Sequence, residues 1–389
     1  MKIFFLWRFY REYLESFYGR HPELFRSSFD EQRRLLLADH FGWQADLSRY
    51  LTSRGYTTEF VVANARVMQE TWAREAGFTP QPSRWETEIV LRQVAGFRPD
   101  VLWMCAYPPY FGAFVHGLRK HARKIVLWAG EPWPTPQNLD GIDVLITENP
   151  MTYRDAHQRF RRVVVAHPGV DPNIAAAVGH PPVQHEIVFI GQFLSVHRRR
   201  AAVVADLIRA GLPVKVFGTV GGDPVLGFNK GWRLAAWLGV RQGRWRAAAN
   251  TLRRSLSPTQ FERDLEVIRS VCRPPVFGME MFKTMAASRV VLNVHADIAG
   301  TYAGNMRLFE ATIAGACLLT DWAGNLSALF EPEREVLVCK ERAEWPAKVR
   351  AALADPQKST AVARAGQMRT LREHTVAAFY ERVREAVEA

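Results

Sequence analysis

The sequence predicts an α/β protein made of two Rossmann-like domains, each a doubly wound parallel sheet. Three observations carry this. Short apolar runs, often rich in Val and Ile, recur between helical patterns, as strands buried on both faces require. A Pro- and Gly-containing stretch, GVDPNIAAAVGHPPVQH from Gly169 to His185, interrupts the alternation. A second strand–helix series follows it. Such alternation gives a parallel sheet with helices on its faces.

In the N-terminal half the strand candidates are Lys2–Arg8, Thr57–Ala63, Asp100–Cys105, Lys124–Ala129, Asp143–Thr147 and Arg162–Ala166. Helical patterns lie between them, for example Asp30–Arg54 and Glu86–Ala95. Gly55 stands where a helix C-cap falls. The first domain is set at 1–168, the linker at 169–185 and the second domain at 186–366. In the second domain the strands are Glu186–Gly191, Pro213–Gly218, Val290–His295, Ala316–Asp321 and Val336–Cys339, with a helix from about Val196 to Ala210. Residues 367–389 form a last helix, about Gln367–Val387, expected to cross back to the first domain.

Residues 219–275 interrupt the second series. There Lys230, Arg233, Arg241, Arg244, Arg246, Arg253 and Arg254 interleave with Trp232, Trp237 and Trp245. Two readings stand: a membrane-interface or acceptor surface, or a solvated helical excursion whose Trp side chains lie on the domain.

Composition sets the bounds. The chain has 389 residues, 48% of them hydrophobic, enough for two cores. No apolar run approaches the roughly 18–20 residues of a membrane span. The start, MKIFFLWRFYREY, meets Arg8 and Arg11 too soon for a signal peptide and reads as a strand. Four scattered cysteines form no metal motif and suit a reducing compartment, so a cytoplasmic location is expected. A net charge of +12 favours anionic partners, including peripheral contact with an anionic membrane at its inner face. No helix-turn-helix or zinc-finger pattern is present, and no nucleic-acid partner is expected. G-x-S-x-G, H-E-x-x-H and P-loop patterns are absent, so hydrolase and NTPase readings lack support.

The polar residues gather at predicted strand ends. In IVFIGQFLSVHRRR, residues 187–200, a strand ends at Gly191 and a helix opens with His197, Arg198, Arg199 and Arg200 in its first turn. Cations are disfavoured at that end of a helix, by a few tenths to ~1 kcal/mol each. A bound anion would reverse the penalty, and a nucleotide diphosphate fits His197 and Arg198. Arg199 and Arg200 read as solvent charges. In NMRLFEATIAG, residues 305–315, Asn305 is a candidate N-cap and Gly315 a stop, while Arg307 and Glu310 share one face. Either they form an intrahelical ion pair, worth only ~0.2–0.5 kcal/mol, or Glu310 takes sugar hydroxyls and Arg307 a phosphate. His295 and Asp297 end a strand beside this loop; two such ligands without a third read as hydrogen-bonding residues, and no metal is expected. Glu131, in WAGEPWP, is either a general base for an acceptor hydroxyl or a turn residue held by Pro132 and Pro134.

The stretches RPPVFGMEMFKTMAASRVVLNVHAD, AGTYAGNMRLFEATIAGACLLTDWAGNLSALFEPEREVLV and ARAGQMRTLREHT resemble the spore-maturation-protein-like (CgeB-like) glycosyltransferases of the GT-B superfamily. FDEQRRLLLADHFG and NARVMQETWA also resemble members. The resemblance implies the GT-B fold, two Rossmann-like domains facing each other across a cleft. It implies transfer of a sugar from a nucleotide-diphosphate sugar to an unknown acceptor, with donor in the C-terminal domain, acceptor in the N-terminal one and no cofactor. Taken with the readings above, the expected donor site comprises Gly191, His197, Arg198, His295, Tyr302, Asn305, Arg307, Glu310, Thr320, Asp321 and Asn325, with Glu131, Arg198 and Arg307 as the catalytic candidates. Glu310 matches the second Glu of the E-x7-E pattern of retaining members, the outcome expected here, but Tyr302 stands where the first Glu falls. That departure keeps a second reading open, a catalytically inactive nucleotide-sugar-binding or membrane-surface-binding protein.

Overall fold

A computed structural model describes residues 1–107, 110–130, 138–149, 160–221, 258–297 and 300–389. The chain divides into two units. Unit 1 holds Met1–Ala177, Phe277–Met279 and Arg369–Ala389; unit 2 holds Val178–Val276 and Glu280–Met368.

Unit 1 is built on a six-stranded sheet in the order β2-β1-β3-β4-β5-β6, with every described pairing parallel. The strands are β1 (Lys2–Trp7), β2 (Thr57–Val62), β3 (Val101–Cys105), β4 (Lys124–Ala129), β5 (Val144–Thr147) and β6 (Arg162–Val165). Strands β1, β3, β4 and β5 are buried almost throughout, which is why they read as continuous apolar runs. The helices among them are α1 (Arg11–Arg20), α2 (Phe29–Ala38), α3 (Trp43–Ser53), α4 (Arg66–Glu75), α5 (Trp85–Phe97), α6 (Ala113–Arg119) and α7 (Asn173–Val178). The single helix expected over Asp30–Arg54 is two. His40 and Gly42 sit at φ 53° and 86°, and the left-handed backbone there ends α2 before α3 begins. Gly55, at φ 89°, follows α3 as expected.

Unit 2 carries a second six-stranded parallel sheet in the order β12-β11-β10-β7-β8-β9. Its strands are β7 (His185–Ile190), β8 (Val214–Phe217), β9 (Cys272–Arg273), β10 (Ser288–Asn293), β11 (Cys317–Asp321) and β12 (Leu337–Cys339). Its helices include α8 (Arg198–Arg209), α9 (Gln260–Arg269), α10 (Gly278–Ala286), α11 (Arg307–Ile313), α12 (Leu326–Leu329) and α13 (Trp345–Ala354). Helix α9 opens with a capping box, in which Thr259 accepts from the Glu262 N–H and Glu262 from the Thr259 N–H. Of the basic, Trp-bearing stretch 219–275, residues 222–257 and all three of its Trp lie outside the described residues.

The last helix also differs from expectation. It is two helices, α14 (Pro356–Glu373) and α15 (Val376–Glu388). Thr375 separates them and caps α15, its side chain accepting from the Ala378 N–H at 3.2 Å. In unit 1, Phe379 of α15 stands against Trp43, Trp128 and Trp103, with ring centroids 4.6, 5.9 and 6.1 Å away. Lys124 donates to the last carbonyls of α15, Ala386 and Val387, where a cation suits the helix dipole. No described helix is long and apolar enough to cross a membrane.

Candidate functional site

The sheet order of unit 2 points to a candidate site. From β7 the chain moves to β8 and β9 on one side, then returns to β10 on the other. The strand order therefore reverses between β7 and β10, and in open parallel sheets ligands bind beyond the carboxyl ends of the strands at that point. Gly191 follows β7. His295 and Asp297 follow β10.

Gly191 is held at close range. Its N–H donates to the Phe217 carbonyl at 3.0 Å, and a Cβ on Gly218 would lie 1.8 Å from the Gly191 carbonyl oxygen. The chain then turns through a short 3-10 stretch, Ser195–His197, into α8. His197 Nδ1 accepts from the Leu194 N–H at 3.2 Å.

The basic start of α8 finds its anion within the chain. Asp297 accepts from the backbone N–H groups of Arg198, at 2.9 Å, and Arg199, at 3.2 Å. A carboxylate thus sits where the helix N-terminus is electropositive, an arrangement worth ~0.5–2 kcal/mol for a side-chain cap. Arg200 is not a solvent charge, and Arg199, although exposed, has a partner. Arg199 Nη2 lies 3.4 Å from Asp321 Oδ2. Arg200 donates to the carbonyls of Val294 and Gln192, at 3.1 and 3.0 Å, and so ties together the two chain exits at the switch point. The Arg198 side chain is exposed, with no ion pair among the described residues.

Next to this lies a buried polar ladder on β10 and β11. Asn293 pairs in register with Thr320, and its amide donates to the Thr320 hydroxyl at 2.9 Å. Asn305 Nδ2 donates to Asn293 Oδ1 at 2.6 Å. The Asn305 side chain is thereby engaged with the sheet, and the N-cap position of α11 falls to Met306. Asp321 accepts from the His295 N–H at 3.0 Å and lies 2.6 Å from His295 Nδ1. Burial pushes the Asp321 carboxyl up, but its bonds to His295 and the His295 and Arg199 charges outweigh this and hold it below the usual aspartate range. The other ring nitrogen, Nε2, is buried without a hydrogen-bond partner among the described residues.

Arg307 and Glu310 open α11. They form the intrahelical ion pair at 2.9 Å, with side chains only 16% and 17% exposed. Arg307 Nη1 also meets the thioether sulfurs of Met281 and Met285 on α10, at 2.9 and 3.6 Å. Thioethers are weak acceptors, so a phosphate oxygen would be a stronger partner. Burial pushes the Glu310 carboxyl up, against the lowering effect of Arg307. Thr320 is fully buried, Tyr302 half-buried, and Asn325 holds the loop before α11 by taking the Ala303 N–H and donating to its carbonyl, both at 2.7 Å. Glu131 lies outside the described residues. Asp297 is a hydrogen-bonding residue as expected, but its partners on α8, and the role of Arg200, were missed by sequence reasoning. Sequence spacing gives no sign of a carboxylate contacting a helix start 99 residues away.

Among the described residues, one triad has metal-ligand spacing: His40, Asp46 and Asp171 in unit 1. Arg49 Nη2 already contacts all three, at 2.9, 2.6 and 3.2 Å, and supplies the cation there.

Comparison with known proteins agrees with this architecture. Residues 199–385 match the family described as glycosyl transferase-like. A sequence search of curated proteins returns no significant match. Similar solved structures include a glycosyltransferase from Rickettsia africae ESF-5, at 8% identity and TM-score 0.57, covering 100% of this chain and 97% of that one. AviGT4, a glycosyltransferase involved in avilamycin A biosynthesis, is 16% identical with TM-score 0.57, covering 99% and 96%. Anabaena Alr3699/HepE, in complex with UDP-glucose, is 14% identical with TM-score 0.53, covering 99% of each chain. The chain has the α/β fold of these proteins, with two parallel six-stranded sheets in the GT-B arrangement of strands and helices.

Proposed function

We propose that this chain is a glycosyltransferase that takes a nucleoside-diphosphate sugar as donor. One observation carries the reading: the switch point of unit 2 brings the start of α8 and the end of β10 together, joined by Asp297 and Arg200. The UDP-glucose bound by the Anabaena neighbour in fold supports the donor class. In this reading Arg198 and Arg307 meet the diphosphate, Glu310 takes a pair of ribose hydroxyls, and His295 and Asp321 support the sugar side. The new bond joins an acceptor oxygen to the anomeric carbon. The bond from that carbon to the diphosphate breaks, the acceptor hydroxyl gives up its proton, and the diphosphate leaves with the added negative charge. Fixed cations facing that charge lower the barrier because they are aimed before the reaction begins. Retaining stereochemistry, metal independence and a peripheral place on an anionic membrane belong to the same proposal.

The test is a thermal-shift screen against UDP, GDP, ADP, dTDP and CMP with their common sugar conjugates. One nucleotide is expected to raise the melting temperature. Glu310→Ala should then weaken its binding about tenfold or more, the scale of a hydrogen bond to a charged group, in protein that keeps its circular dichroism. Unchanged affinity would remove Glu310 from the site, and no shift with any nucleotide would remove the donor class.

A further inference from the structure

The four cysteines are free thiols, and burial raises them all: Cys105, Cys317 and Cys339 to about 12, and Cys272 in the same direction. They carry little thiolate at neutral pH and react slowly with peroxides. A thioether needs no deprotonation before its sulfur is oxidised, so the chemistry of an oxidant falls to methionine.

Two methionines of unit 2 meet one cation. Met281 and Met285 lie one turn apart on a single face of α10. Their sulfurs converge on Arg307 Nη1, which donates to Met281 Sδ at 2.9 Å and to Met285 Sδ at 3.6 Å. The same nitrogen lies 2.9 Å from Glu310 Oε2. Met281 is the nearer and the more exposed of the two, at 7% against 0%. Hydrogen peroxide is little larger than water, and Met281 Sδ touches a guanidinium that is itself partly in solvent.

A peroxide transfers one oxygen atom to a thioether. A sulfur lone pair attacks that oxygen, the S–O bond forms and the O–O bond breaks. The proton on the transferred oxygen passes to the departing hydroxide, which leaves as water. Sulfur is oxidised by two electrons and the peroxide is reduced. The product changes the choice of partner open to Arg307. A thioether is a weak acceptor, and the guanidinium leaves it readily for a phosphate oxygen. A sulfoxide oxygen is polar and accepts more strongly, so Arg307 leaves it less readily. The present contact also has no room for an oxygen between nitrogen and sulfur, and the guanidinium must shift to admit one. We propose that Met281 is an oxidation site whose sulfoxide holds Arg307 back from the donor diphosphate, so that peroxide lowers nucleotide binding. The effect on binding rests on the proposed function, in which Arg307 meets the diphosphate; the modification itself does not. Methionine sulfoxide reductases return the thioether.

The test treats the full chain with graded hydrogen peroxide, maps each methionine by peptide mass spectrometry, and titrates the nucleotide that gives the thermal shift. Met368, 65% exposed, is the standard of accessibility. Met281 is expected to convert after Met368, and nucleotide affinity to fall about tenfold as it does, the scale of one hydrogen bond to a charged group. Met281→Leu, compared with its own untreated form, should keep its affinity through the same treatment. Met281→Gln, with an amide oxygen near the place of the sulfoxide, should show the loss without peroxide. Should Met281→Gln fail to fold, Met281→Leu carries the comparison. Three results would overturn the proposal: Met281 unconverted in folded protein whose Met368 is fully sulfoxide, affinity unchanged once Met281 is converted, or an equal loss in Met281→Leu. Protein that binds no nucleotide before treatment would instead count against the proposed function, and the mass readout would still decide the oxidation site.

Discussion

Asp321 concentrates the electrostatics of unit 2 in one buried carboxylate. It is 1% exposed and meets His295 and Arg199. Its folded pKa lies below the ordinary value. The ionised form therefore contributes stability that is present above the unfolded aspartate pKa, about 3.9, and is lost as pH falls through the lower folded value. Asp321→Asn should cost about 1–3 kcal/mol at pH 7. Urea denaturation should show the gap from the wild type narrowing below pH ~4; an equal gap at pH 7 and pH ~3 would contradict the account. Asp297 gives a second prediction. Asp297→Ala removes the cap of α8 and should cost about 0.5–2 kcal/mol, yet it frees two amides beside Arg198. Orthophosphate should then stabilise the variant more than the wild type in a melting experiment. Equal stabilisation would mean the amides are not available to an outside anion. These pairings explain what the sequence could not show. That β10 ends in polar residues is legible in NVHAD, but which basic residue each acid meets is set by the sheet order.

At the scale of elements, close approach limits the turns around the switch point. Gly218 has no room for a methyl group, because the Gly191 carbonyl lies where Cβ would stand. Gly218→Ala should lower the melting temperature by several degrees, since overpacking typically costs about 1–3 kcal/mol. A variant as stable as the wild type would show that β7 and β8 can part without cost. The strands were legible because parallel strands covered on both faces must be apolar along most of their length, as IFFLW in β1, VVL in β10 and CLL in β11 illustrate. The breaks in helices were less so. Periodicity runs across Asp39–Gly42 and again across His374–Thr375, and only the local signs, a glycine after Phe41 and a threonine able to cap Ala378, mark the ends. Asn305 shows the opposite failure. It has the right residue type for a cap, but a buried partner on β10 takes its amide.

For the molecule as a whole, each unit has its own sheet, its own core and its own point of strand reversal. A nucleotide held by unit 2 should stabilise it by about 2.7 kcal/mol at a hundredfold excess over Kd. Hydrogen exchange should slow first around Gly191–Arg200 and His295–Glu310. Slowing confined to unit 1 would place the nucleotide elsewhere. The net charge of +12 predicts salt-sensitive retention on anionic vesicles, and retention unaffected by salt would exclude an electrostatic origin.

Unit 1 is not finished where its sheet is. Val170 donates to the His374 carbonyl and accepts from the Val376 N–H, Gly169 lies too near Thr375 for a side chain, and Phe379 reaches three tryptophans of the N-terminal core. A ribosome making this chain releases nearly all of unit 2 before the segment that closes unit 1 emerges. The first half of the protein must therefore wait, with aromatic surface uncovered, for the last residues to be made. A premature stop after Glu373 should do its damage at the far end of the sequence, leaving the later-made sheet folded and the earlier one open to proteases and chaperones.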